Sequence, residues 1–171
     1  MRALLFIGFS LALTGCATLT KEECLSGNWE EIGFRDGTNG KTSAFLQSHA
    51  KACEKTGVRP VQSLWEKGRK RGLPVYCVPS KAFSEGKSGR RVNAVCPAAK
   101  MPALQAANAK GLEYYQYTEE LNALQYRIDE VDRQLVAEKD PKLRLLLVRE
   151  NRALRGELRL LEMQRSLVAS L

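Results

Sequence analysis

The apolar spacing of the last third of the chain limits its fold more than any other feature. Tyr114, Tyr117, Leu121, Leu124, Ile128, Val131 and Leu135 alternate intervals of three and four, which keeps one stripe on one side of a helix through three heptads. Asp140-Pro141 breaks the run, because proline has no N–H to donate and clashes with the preceding turn. The spacing resumes in Leu147, Asn151, Leu154, Leu158, Leu161 and Val168. Two stripes joined by a short break predict a helical hairpin. The first segment carries Glu113, Glu119, Glu120, Asp129, Glu130, Asp132 and Glu138 against Arg127 and Arg133. The second carries Lys142, Arg144, Arg149, Arg152, Arg155, Arg159 and Arg165 against Glu150, Glu157 and Glu162. Opposite signs favour antiparallel docking, although each exposed pair contributes only tenths of a kcal/mol. Pairing between chains would give the same pattern. A second stripe, Leu146, Ala153, Leu160 and Leu167, recurs beside the first and needs a cover, either the rest of the chain or a partner.

The chain before Pro97 is of another kind, and holds Cys24, Cys53, Cys77 and Cys96 together with most of the glycines. Thr42 or Ser43 can cap a helix running through Phe45, Leu46, His49, Ala50 and Cys53, which Gly57 ends. A second helix fits Pro60 at its first position through Arg71, stopped by Gly72 with Pro74 beyond. Residues 79–85 suit a short third helix and 91–96 a brief extended piece. The predicted architecture is mainly α: a disulfide-stapled helical domain at 24–97, a linker at 98–111 and a coiled-coil-like helical hairpin at 112–171.

The other end of the chain supplies the compartment. Met1-Arg2 precedes an apolar run at 3–13 that is too short to span a bilayer, so it reads as a targeting segment. Leu13-Thr14-Gly15-Cys16 resembles a bacterial lipoprotein box, in which cleavage leaves an acylated cysteine at the new N-terminus. That resemblance implies a signal peptide at 1–15, lipidation (palmitate) on Cys16 and a short tether at 16–23. Ala17, where sorted lipoproteins retained in the inner membrane have aspartate, implies an outer-membrane anchor facing the periplasm. Five cysteines are odd for an exported chain, and acylating Cys16 leaves an even four. Their spacing nowhere approaches the paired C-x₂₋₄-C of zinc sites, so two disulfides are expected and no metal. Three connectivities remain open, and Cys24 with Cys53 and Cys77 with Cys96 closes the shortest loops.

Little in the sequence points to chemistry. His49, the sole histidine, stands four residues from Cys53 and reads as a buried, hydrogen-bonded side chain beside a disulfide rather than a base or a ligand. Asp36 with Glu30 or Glu31 could suggest a carboxylate pair, but Asp36-Gly37 reads equally as a turn. Phosphate loops, serine elbows and metal motifs are lacking. The expectation is a non-catalytic protein without cofactor. A loose echo places Trp29 before Gly33 and Gly37, Trp65 before Gly68 and Gly72, and Phe83 before Gly86 and Gly89. It fits either aromatic platforms for envelope sugars or core aromatics beside packing glycines. The net charge of +8 and pI near 9.4 raise anion binding. In an exported chain the available anions are phospholipid headgroups, lipid A phosphates and peptidoglycan carboxylates, and nucleic acid is not expected. Candidate ligand-binding residues are Trp65, Lys67, Arg69, Lys70, Arg71, Arg90 and Arg91.

The stretches Cys24-Leu-Ser-Gly-Asn-Trp-Glu-Glu-Ile-Gly-Phe-Arg-Asp-Gly37, His49-Ala-Lys-Ala-Cys53, Trp65-Glu-Lys-Gly-Arg-Lys-Arg-Gly-Leu73, Tyr76-Cys77, Gly86-Lys-Ser-Gly89 and Val95-Cys96-Pro97 carry a resemblance. In this order they resemble the YfiL-like small bacterial lipoproteins, which have a cysteine-rich domain of unknown function and often a leucine-rich C-terminal segment. Trp65 and Val92 stand where that pattern more often has tyrosine. The resemblance implies an envelope location and supplies no catalytic residues. The functional expectation is an interaction or structural module that meets an envelope partner through its C-terminal helices, with binding of anionic envelope glycan or lipid as the alternative.

Overall fold

The computed structural model describes residues 18–170; the expected signal peptide at 1–15, Cys16 and Ala17 lie outside them. Among the described residues the chain is helical without strands, as the patterning predicts. Its α-helices are α1 (Lys21–Ser26), α2 (Trp29–Thr38), α3 (Leu46–Cys53), α4 (Gln62–Tyr76), α5 (Pro79–Lys87), α6 (Met101–Ala137) and α7 (Pro141–Ser170). Single 3₁₀ turns at Ser43–Phe45, Glu54–Thr56 and Ala98–Lys100 lead into or out of them.

Folded structure begins earlier than a tether at 16–23 would allow. Thr20 and Glu23 form a reciprocal capping box on α1. Leu19 is buried with Cys24, Trp29, Ile32, Cys53 and Trp65.

Glycines set the next level. Gly33 and Gly37 of α2 face Gly68 and Gly72 of α4, and a Cβ on Gly33 or Gly68 would overlap the backbone carbonyl of Trp65 or Glu30 on the opposite helix. The two backbones therefore touch. This overturns the reading of Gly72 as a stop: it is a contact inside α4, which continues to Tyr76 with Pro74 in its last turn. There the missing N–H costs one hydrogen bond only. The helix also starts at Gln62, not Pro60. Helices α5 and α6 repeat the arrangement, since a Cβ on Gly86 would overlap the Asn108 carbonyl and one on Gly111 that of Phe83.

The correspondence extends beyond the crossings. Asp36-Gly-Thr-Asn-Gly-Lys41 ends α2 and Glu85-Gly-Lys-Ser-Gly-Arg90 ends α5. Lys41 N–H donates to the Asp36 carbonyl and Arg90 N–H to that of Glu85, both at 2.9 Å. Gly40 (φ 65°) and Gly89 (φ 72°) occupy the left-handed region, which glycine enters without a Cβ penalty. Each lies against a tyrosine ring, Tyr76 and Tyr115 respectively. A disulfide serves each pair: Cys24–Cys53 joins the segment before α2 to the connection between α2 and α4, and Cys77–Cys96 does the same around α5 and α6. The body is thus two similar glycine-crossed helix pairs in tandem.

A linker at 98–111, expected from composition, is instead helical. Pro102 lies in the first turn of α6, where its missing N–H has no intrahelical partner to lose. Leu104, Asn108 and Gly111 are buried, so the second pair needs this segment as its inner helix. Residues 91–96 form no strand; Val92 N–H donates to Asn108 Oδ1 and Asn93 N–H to the Tyr76 hydroxyl, so side chains take the donors a sheet would use. Beyond the body, α6 and α7 form the hairpin. Leu124, Ile128, Val131 and Leu154 make its core. Asn151 and Arg155 both reach Asp132, at 2.7 and 2.8 Å, and Arg144 donates to the Leu135 carbonyl, fixing the antiparallel register.

Candidate functional site

Three surfaces or clusters have the residue types that binding or chemistry needs. The first is buried. Asp36 Oδ2 accepts from Trp65 Nε1 at 2.8 Å, and because that nitrogen can only donate, the oxygen is an acceptor for His49 Nε2–H at 2.6 Å as well. His49 Nδ1 shares a hydrogen bond with the Thr18 hydroxyl at 2.9 Å. A hydroxyl, an imidazole and a carboxylate in a chain carry the groups of a proton relay. Here His49 is 1% exposed and Trp65 1%, so a substrate atom reaches neither unless α3 opens. The chain ties Thr18, α2, α3 and α4 together. Trp65 therefore offers no face to a ligand and Trp29 is buried too, so two of the three aromatics of the echo are core, while Phe83 is half-buried.

The second group is the basic residues. Lys67 and Arg71 reach across to Glu30 at 3.0 and 2.8 Å, so these two cations are spent on the α2–α4 crossing. These contacts, led by the Lys67 hydrogen bond, hold the Glu30 carboxyl below its ordinary range. Arg69 is buried; it clasps Glu66 through two hydrogen bonds and donates to the Lys41 carbonyl. Lys70 is exposed.

Arg90 and Arg91 lie elsewhere, in a cleft of about 750 Å³ between the two helix pairs with Asn39, Lys41, Glu85 and Asn93. Arg90 Nε bonds Glu85 at 2.7 Å, and this hydrogen bond is the main cause that lowers the Glu85 carboxyl. Sequence reading missed Lys41 and Asn39. The signal that could have found them is the recurrence of an acidic residue, glycine, any residue, Asn or Ser, glycine and a cation at 36–41 and 85–90.

The third is the outer face of α7. Leu143, Leu145, Leu146, Leu160 and Met163 are each half exposed or more. The body thus does not cover Leu146 and Leu160. Arg149, Arg152 and Arg159 are exposed on the same helix.

Among the described residues no three His, Cys, Asp or Glu side chains gather as a metal site, and no helix is long and apolar enough to cross a membrane. Every buried side-chain nitrogen or oxygen among them has a hydrogen-bond partner.

Fold and clusters together define a small disulfide-stapled helical protein built on two glycine crossings with a projecting hairpin. The chain belongs to the family described as protein of unknown function (DUF2799), which matches residues 28–113. The match begins at the cap of α2 and ends just after Gly111, so it spans both crossings and stops short of the hairpin's buried seam. No curated protein and no solved structure matches the chain.

Proposed function

We propose that the protein is a non-catalytic envelope lipoprotein of the YfiL-like kind, held in the outer membrane through Cys16 and facing the periplasm, and that its hairpin recruits a protein partner. The observation that carries this reading is the apolar stripe of α7, with Leu146 58% and Leu160 51% exposed in a helix rich in arginine. Exposed apolar surface on that scale marks an interaction site. Arginines beside it select a partner whose docking helix is apolar on one face and acidic at its edges. With Cys16 acylated, the body would lie close to the lipid surface, since Thr18, two residues on, is already tied to His49.

Photo-crosslinking in cells from probes at Leu146 and Leu160 tests the partner. The expected result is one envelope protein, captured through an acidic amphipathic segment and lost when Arg149, Arg152 and Arg159 are changed together to Glu. Capture that survives this charge reversal, or crosslinks only within the chain, overturns the reading. Anchoring is tested separately: palmitate labelling is expected to disappear with Cys16→Ser, and an unlabelled native chain would refute it.

A further inference from the structure

We propose that the cleft between the two helix pairs binds a phosphate ester. Its walls come from both pairs: Asn39 and Lys41 follow α2, while Glu85, Arg90, Arg91 and Asn93 end or follow α5. The principal cations sit on matching turns. Lys41 and Arg90 each follow a left-handed glycine and each bond a helix carbonyl through their own N–H. Their carbonyls are held in turn by buried side chains, Lys41 by Arg69 at 3.0 Å and Arg90 by Asn108 at 2.9 Å. Asn93 fastens the pairs to each other across the cleft, its N–H donating to the Tyr76 hydroxyl and its side-chain amide to the Gly40 carbonyl, both at 3.0 Å. The backbone that carries Lys41 and Arg90 is therefore fixed before any ligand arrives.

Charge and shape select the ligand. Three cations face one carboxylate, Glu85, and that carboxylate already takes Arg90 Nε and a 3.4 Å contact from Lys81. Among the described residues Lys41 and Arg91 have no carboxylate partner; Lys41 lies over the Phe45 ring at 4.4 Å. Guanidinium groups present several donors to one oxyanion. A tetrahedral phosphate carries up to two negative charges on oxygens directed to several sides, and so can engage cations arriving from both walls. The cleft has room for more than a bare phosphate, so an ester fits it. The rival role for Lys41 and Arg90 is to offset the negative ends of α2 and α5.

The test is ¹⁵N NMR of the full chain in dodecyl maltoside, a detergent without phosphate, at constant ionic strength. Glycerol phosphate is expected to give saturable shifts confined to Asn39, Lys41, Arg90, Arg91 and Asn93. The Lys41→Ser/Arg91→Ser variant should weaken binding at least about tenfold, the loss of two charge-assisted contacts. Lys67→Ser/Arg71→Ser, which removes the same charge from the α2–α4 face, should leave it unchanged. Phosphatidylglycerol added to the micelles separates the sources. The same shifts, reversed by glycerol phosphate, identify a lipid headgroup, and shifts with glycerol phosphate alone identify a soluble ester. Shifts that do not saturate, or equal weakening in both double variants, overturn the site and leave the cations as helix-end charges.

Discussion

Asp36 holds the first helix pair at the residue scale. One of its oxygens takes two buried donors, from side chains 13 and 29 residues away in sequence. Asp36→Ala leaves the Trp65 and His49 nitrogens buried without an acceptor, at about 1–3 kcal/mol for each orphan. Denaturant unfolding should therefore show a loss of ~2–6 kcal/mol for this variant. Trp65→Phe removes one of the donors, so the double variant should lose less than the sum of the singles. Additive losses would mean that Asp36 does not hold these donors. The reading of His49 as a buried, hydrogen-bonded residue beside Cys53 agrees with the structure, because one histidine on an apolar helix face has few other options. Asp36-Gly37 is no loop turn but the end of a helix. Its partners are distant in sequence, so nothing local announced them.

At the scale of elements, the crossings depend on the absence of side chains. Gly33→Ala or Gly68→Ala places a methyl against backbone on the facing helix, and backbone yields less than a flexible side chain. Each should cost ~3 kcal/mol or more, the upper end for overpacking. Gly156 provides the contrast: it lies within α7, and a Cβ there would meet nothing within 4 Å. Gly156→Ala should stabilise the protein by roughly 0.5–1 kcal/mol through helix propensity alone. Thermal melts of the three variants decide the matter, and a tolerated Gly33→Ala would show that the helices are not in backbone contact. The same glycines misled the boundary reading. A glycine near a predicted helix end looks like a cap, and only the facing helix reveals a contact. For that reason sequence reading stopped α4 at Arg71, whereas the linker at 98–111 followed from the change of composition after Pro97.

At the scale of the molecule, the two pairs meet where Tyr76 and Leu73 of α4 pack with Ala82 of α5 and Leu104 of α6, and Asn93 bonds Tyr76 and Gly40 beside them. Each pair has its own disulfide, closing separations of 29 and 19 residues. Loops of these lengths contribute about 3–4 kcal/mol each in the chain-entropy account. Replacing Cys77 and Cys96 by Ser should remove hydrogen-exchange protection from α5 and the first turns of α6 while α2 and α4 keep theirs. Equal loss throughout would show a single cooperative body.

The hairpin was legible because helix packing writes its period into the sequence: Leu121, Leu124, Ile128 and Val131 are spaced as their burial requires, and the Asp140-Pro141 break is local chemistry. The cysteine set and the helical class could be read for the same reason, since composition and short-range spacing determine them. Tertiary structure alone decided the rest. It paired Lys67 and Arg71 with Glu30, buried Trp65, and gathered Lys41, Arg90 and Arg91 into one cleft. Those outcomes depend on which backbones approach closely enough to touch, a property of two helices facing each other that neither helix carries in its own sequence.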